Sequence, residues 1–256
     1  MQQVGTGDCP YLIEYYGAMI DTVSKDSCEF CIIMFFLKVY SELCICMELM
    51  DTTLRRFYQT MHQLGNIDPN NLDFLVRRVI HNIASALHFL AEKQYLHRDI
   101  KPENILVNDR GVFKLNDYGT CCDMNLAQTD PIGTIAYFPP ELVRNPPAPS
   151  SIQGDMWALG ISVVETILGQ HPCPLSNGIE RFLILTEWNR DILESIIPDD
   201  VRALILQLLQ TEPEERPGSY SDILQMSFIQ AVLMEPTFEE MFFIFNIIQI
   251  IRQCDS

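Results

Sequence analysis

HRDIKPENILVNDRGVFKLNDYG, residues 97 to 119, decides how the rest of this chain is read. Two short apolar runs, Ile105 to Asn108 and Val112 to Leu115, flank Asp109-Arg110-Gly111, which reads as a hairpin closed by a tight turn. A polar loop enters the hairpin and an acidic one leaves it. Asp99 stands five residues before Asn104, and Asp117 follows the second strand. A hairpin returns its ends to one place, so the two carboxylates and the amide are expected to meet there.

Working outward, Asp68 and Pro69 open a helix with Leu72, Leu75, Val76, Val79, Ile83, Leu87 and Leu90 on one face, running into Tyr95. His81 and His88 lie on it as helix-surface residues that need no metal. Before it, Asp51 and Thr52 cap a helix bearing Leu54, Phe57, Tyr58, Met61 and Leu64, stopped by Gly65. Earlier still, Tyr11 to Met19 and Leu43 to Leu49 read as adjacent antiparallel strands. Downstream, Thr120 to Glu141 shows little periodicity, and loops of that length in compact domains are usually functional. Gln153 to Gly169 is apolar nearly all round, the mark of a buried helix. Val201 to Leu209, Ile223 to Leu233 and Phe238 to Ile251 supply further helices between Pro-containing turns. No internal repeat is present.

The 256 residues suffice for one large domain or two small ones sharing a core. With 48% apolar and 20% charged residues the composition is globular. A net charge of −17 argues against a nucleic-acid partner, whose phosphates are bound through clustered Lys and Arg. The apolar runs Phe30 to Leu37 and Met241 to Ile251 fall short of the ~20 residues that span a bilayer. The N-terminus has neither the basic start nor the apolar stretch of a signal peptide, and there is no N-x-S/T sequon, so a soluble intracellular protein is expected. Nine cysteines are scattered and odd in number. Cys28 and Cys31 form a lone CxxC, and Cys44 and Cys46 should share one strand face as packing thiols, so reduced cysteines are expected over a zinc or redox site.

The order H-R-D-x-x-x-x-N then D-F-G, here with Tyr118 for Phe, is the pattern of protein kinases. The chain resembles a eukaryotic protein kinase from the fourth strand of the small lobe to the end of the large one. Within that superfamily it is most similar to a MAP kinase kinase of the stress-activated branch, on YYGAM (15–19) and CICMELMDTTLRRFY (44–58). The resemblance implies an α+β, protein-kinase-like fold: a truncated small β lobe and hinge over residues 1–50, with an unusual insertion at about 21–40, and a mainly α-helical large lobe over 51–256. It also implies ATP and Mg2+ as cofactors, a MAP kinase as protein substrate, an upstream activating kinase, and a cytoplasmic location with the nucleus possible.

Residue by residue, the resemblance makes Asp99 the base that orients the attacking hydroxyl. Lys101 would neutralise the transferring phosphoryl group, and Asn104 and Asp117 would be the Mg2+ ligands. Met47 becomes the gatekeeper, Glu48, Leu49 and Met50 the hinge that bonds adenine, and Leu106 the residue beneath the base. His97 and Tyr118 stack in the large-lobe spine, where a buried tyrosine hydroxyl needs a partner. Glu141, in Pro139-Pro140-Glu141, pairs with Arg216. Asp155, two residues before Trp157, holds the backbone of the His97-Arg98-Asp99 turn. Thr134 lines the substrate pocket beside Asp99 and Lys101. Thr129 fits the second of two activating phosphosites, its phosphate pairing with Arg98, while Asn125 takes the first and cannot be phosphorylated.

The departures are at the front. The G-x-G-x-x-G loop and the V-A-I-K lysine would precede Tyr11, and Gly5-Thr6-Gly7 is not that loop. In the family a short turn joins the strands that here flank Asp21 to Tyr40. That segment is either an extra packed strand or sequence foreign to the mature message. Three readings of function stand side by side. The retained Asp99, Lys101, Asn104 and Asp117 favour an active kinase. The absent loop and lysine favour a pseudokinase-like binding module with little turnover. An incomplete translation of a kinase gene is the third.

Overall fold

Antiparallel pairing comes first: β1 (Tyr15–Asp21) lies against β2 (Glu42–Met47), Tyr15 opposite Met47 and Asp21 opposite Glu42. The computed structural model describes residues 6–21, 42–126, 132–173, 193 and 196–255. The insertion at about 21–40, with Cys28 and Cys31, therefore lies outside the described residues but for Asp21, as does Thr129. The register shifts between Tyr15 and Gly17, opposite Met47 and Cys46. Cys44 is buried while Cys46 is exposed, so the two thiols do not share one packed environment as expected. Cys9, Cys46, Cys121, Cys122 and Cys254 are free thiols.

Strand β3 (Thr52–Thr53) leads into α1 (Leu54–Leu64). The cap is Thr53, whose hydroxyl accepts the Arg56 N–H, and not Asp51 or Thr52. Asp51 is drawn away because it accepts the Asp109 N–H at 2.8 Å and pairs with Arg252. Helix α2 (Pro69–Glu92) starts where Asp68 accepts the Asn70 N–H at 2.8 Å. Its expected apolar face is buried. His81 is half-buried, edge-on to Tyr11 at 5.6 Å, a packing role.

The hairpin is β5 (Ile105–Val107) with β6 (Phe113–Leu115), and β4 (Tyr95–Leu96) precedes it. Strand β4 pairs with β7 (Cys122–Asp123), a two-residue element inside the aperiodic segment. After the short α3 (Pro140–Val143) comes α4 (Ile152–Leu168), in which every residue from Asp155 to Ile167 is buried. It packs on α2 and on α5 (Asp199–Leu208). A Cβ on Gly160 would lie 2.9 Å from Leu209 Cδ2, so the close approach there depends on glycine. The helix expected over 223–233 is two, α6 (Tyr220–Leu224) and α7 (Ser227–Gln230), because Met226 leaves helical geometry at φ −62, ψ 133. Helix α8 (Phe238–Asp255) closes the chain against α1, with Phe243 edge-on to Phe57 at 6.0 Å. Among the described residues no helix is long and apolar enough to cross a membrane. One main hydrophobic core runs through α1, α2, α4, α5 and α8, so strands feed a mainly helical body, an α+β fold.

Candidate active site

Between β4 and β5 the chain turns through His97-Arg98-Asp99, and Arg98 adopts a left-handed backbone, φ 69. Buried Asp155 holds it there: its two carboxylate oxygens accept the His97 and Arg98 N–H groups, each at 2.8 Å. Burial outweighs those two bonds and raises the Asp155 pKa to about 6. Burial likewise pushes His97 down to about 4, so its imidazole is neutral near pH 7. The Nε2–H then donates to Asn116 O at 3.0 Å, leaving Nδ1 to face the Asp99 N–H at 3.4 Å.

Four donors converge on the Asp99 carboxylate. Thr134 gives its N–H at 2.9 Å and its hydroxyl at 2.7 Å to Oδ1; Lys101 Nζ at 2.7 Å and Asn104 Nδ2 at 2.9 Å reach Oδ2. Burial pushes this carboxyl up, but Lys101, Thr134 and Asn104 together hold it below the usual range, so it is ionised at neutral pH. The Thr134 hydroxyl also accepts from Lys101 Nζ at 2.7 Å, so an alcohol already sits between cation and carboxylate. Gly133 makes this approach possible: φ is 120, and a Cβ would lie 2.3 Å from Arg98 O.

The hairpin carries the backbone just before Asp117 back to Asn104. Ile105 faces Leu115, and the Asn116 N–H donates to Asn104 O at 2.8 Å, so Asp117 follows directly on a residue bonded to Asn104. Asp117 is exposed, left-handed at φ 62, and caps the Gly119 N–H at 3.3 Å. Asn104 spends its amide nitrogen on Asp99, and its amide oxygen has no hydrogen-bond partner among the described residues. An exposed carboxylate and a spare amide oxygen are the hard oxygen donors that Mg2+ takes.

On the other side of β5, Ile13, Met50 and Leu106 form a small apolar cluster apart from the main core, with Met47 packed against it. Met47, Met50 and Leu106 are thus together, while Leu49 is 61% exposed. The Met50 N–H bonds no backbone carbonyl among the described residues. This apolar shelf, with the Met50 N–H beside it, could hold a purine ring. Two of its supports escaped sequence reasoning. Ile13 arrives from before β1, and Lys114 Nζ reaches both oxygens of Glu48 at 2.7 Å. Both contacts join residues far apart in the chain; only the outward-facing position of Lys114 between buried Phe113 and Leu115 signalled it.

His97 and Tyr118 meet edge-on at 6.0 Å. The Tyr118 hydroxyl has the partner it requires, donating to Leu115 O at 2.9 Å with Ile13 O at 3.2 Å. Glu141 and Arg216 form a buried two-pronged pair at 2.7 and 2.8 Å, and Arg216 lies 5.1 Å over the Trp157 ring. Arg98 Nε donates to Thr120 O at 2.7 Å. A further buried carboxylate, Glu165 on α4, accepts the hydroxyls of Tyr58 at 2.5 Å and Tyr137 at 2.6 Å, tying α1 to the loop after Thr134. Nothing in the periodicity of α4 singled it out.

An ionised carboxylate with a lysine and an alcohol on it stands near a small apolar cluster, both held on a strand-and-helix body. Residues 2–229 match the protein kinase domain, and the chain belongs to the protein kinase family. It is 28% identical over 249 residues to the dual specificity mitogen-activated protein kinase kinase sek-1 of Caenorhabditis elegans, covering 94% of this chain and 67% of that protein. Against MAP kinase kinase PBS2 of Saccharomyces cerevisiae it is 31% identical over 219 residues, 81% of this chain and 30% of that protein. Against the human dual specificity mitogen-activated protein kinase kinase 7 it is 30% identical over 239 residues, covering 87% and 49%. The chain thus spans from under a third to two thirds of the length of these relatives.

Proposed function

We propose that this chain is a MAP-kinase-kinase-type enzyme that passes the γ-phosphoryl group of Mg-ATP to a Ser, Thr or Tyr hydroxyl of a protein, a MAP kinase, in stress signalling. The observation that carries the reading is the Thr134 hydroxyl lodged between Lys101 Nζ and Asp99 Oδ1, each at 2.7 Å, as an acceptor alcohol would be. Asp99 orients the alcohol and takes its proton, and Lys101 offsets charge on the group in transit. Mg-ATP supplies the phosphoryl group and the cation that spreads its charge. Asn104 and Asp117 would hold the metal, and Met47, Met50 and Leu106, with the Glu48 to Met50 backbone, would hold the adenine. An upstream kinase acting on Thr129, its phosphate answered by Arg98, and a cytoplasmic place of action with access to the nucleus go with this reading.

A specific observation favours the alternative of a binding module with little turnover. Each described lysine is engaged elsewhere: Lys93 over Phe89, Lys101 on Asp99, Lys114 on Glu48. None of these three is left over for the α- and β-phosphates, and a site without such a lysine would lack phosphate positioning and electrostatic stabilisation. Calorimetric titration with Mg-ATP and phosphorylation of a purified MAP kinase separate the two. The kinase reading expects Mg2+-dependent binding that Asp117→Ala abolishes, and transfer that Asp99→Asn lowers by about 10²–10⁴-fold. Binding without transfer, or no nucleotide binding at all, selects the module, and binding indifferent to Mg2+ and to Asp117→Ala defeats the kinase reading.

A further inference from the structure

The second arm of the hairpin is fastened twice to the shelf proposed for adenine. Tyr118, where the family pattern has Phe, is buried, and its hydroxyl donates toward Leu115 O at 2.9 Å and Ile13 O at 3.2 Å. Burial drives the phenol pKa far up, so the hydroxyl keeps its proton. Ile13 is 1% exposed and belongs to the shelf with Met50 and Leu106. Its N–H returns to Leu115 O at 3.0 Å, and the Leu115 N–H donates to Tyr11 O at 2.9 Å. Four residues before Tyr118, Lys114 grips Glu48 with side chains 13% and 22% exposed. Between the two fastenings stands Asp117 with φ 62, a backbone a non-glycine residue keeps only when its surroundings over-determine it.

We propose that the Tyr118 hydroxyl is a positioning group that ties the Asp117 turn to Ile13 and so couples the metal-facing carboxylate to the adenine-facing shelf. Phenylalanine would fill the same space and keep the stack on His97, but it would leave the Asp117 turn joined to the shelf only by backbone bonds and, one strand away, the Lys114–Glu48 pair. The hydroxyl acts through Asp117 and touches no reacting atom. The proposal rests on the Mg-nucleotide reading above.

The test is Tyr118→Phe in the 256-residue chain, a change of one oxygen. ADP is titrated by calorimetry with and without Mg2+, and amide hydrogen exchange is followed at Ile13, Leu115 and Gly119. The expected result is exchange at Ile13 and Leu115 about fivefold faster, the worth of one net hydrogen bond. The gain in ADP affinity conferred by Mg2+ should fall by about the same factor, with Mg2+-free affinity held. Equal losses with and without Mg2+ would mark a general loosening and overturn the proposal, as would unchanged exchange and gain. If the unsubstituted chain binds no ADP, the Mg-nucleotide reading fails by itself. Exchange at Ile13 then decides the tether, and unchanged protection in Tyr118→Phe overturns it.

Discussion

Removing the Arg216 guanidinium is the most demanding test of the architecture beneath the site. All five of its donor directions are used: Nη1 and Nη2 on Glu141 at 2.7 and 2.8 Å, Nε on Gln210 O at 2.9 Å, and second bonds to Gln153 O at 2.9 Å and Thr211 O at 3.3 Å. The arginine side chain is 0% exposed and that of Glu141 5%. Arg216→Ala strands a carboxylate out of water, which costs about 3–5 kcal/mol. Losing the cation from the Trp157 face adds about 1 kcal/mol. A domain of this size loses about 2–4 °C of Tm per kcal/mol, so the midpoint should fall by about 10–20 °C. Arg216→Lys should recover only part, because an ammonium cannot fork onto both oxygens. Thermal denaturation of both variants and of Glu141→Gln with Arg216→Ala measures this, the pair coupling by about 2 kcal/mol. A shift under about 3 °C for Arg216→Ala, or strict additivity, would refute the argument.

Two further outcomes are expected. Gly133→Ala forces its Cβ onto Arg98 O at 2.3 Å in a backbone of φ 120, so the Thr134–Asp99 bonds should break. Stability should drop by about 2 kcal/mol in chemical denaturation, and a variant as stable as the parent would contradict this. For pH, His97 falls from 6.5 to about 4 on folding, so the native state binds fewer protons than the unfolded chain between those values and stability rises with pH there. Asp155 rises from 3.8 to about 6, so the native state binds more, and stability falls with rising pH over nearly the same window. The two oppose, and Asp155→Asn should unmask the histidine. Its stability should climb by about 3 kcal/mol from pH 4 to 6.5 in denaturation midpoints, and a flat profile would contradict the assignment.

The order of residues settled the local features. The hairpin from Ile105 to Leu115, the Asp68-Pro69 start of α2 and the all-round apolar α4 follow from turn residues, capping and periodicity within a few residues. Those suffice because each element's own bonds and one buried face decide it. The spacing of Asp99, Asn104 and Asp117 was equally legible, since a hairpin needs no distant partner to return its ends. Tertiary structure alone decided the rest. Lys114 meets Glu48 across 66 positions and Tyr118 meets Ile13 across 105, and no local pattern encodes such pairings. Thr53 rather than Asp51 caps α1, because Asp51 is taken up by Asp109 and by Arg252, 201 residues on. Strand β7 is two residues of an aperiodic segment, made a strand only by the edge that β4 offers it. In each case burial and an unpaired polar group elsewhere in the fold chose the partner, and those appear only when the chain has closed on itself.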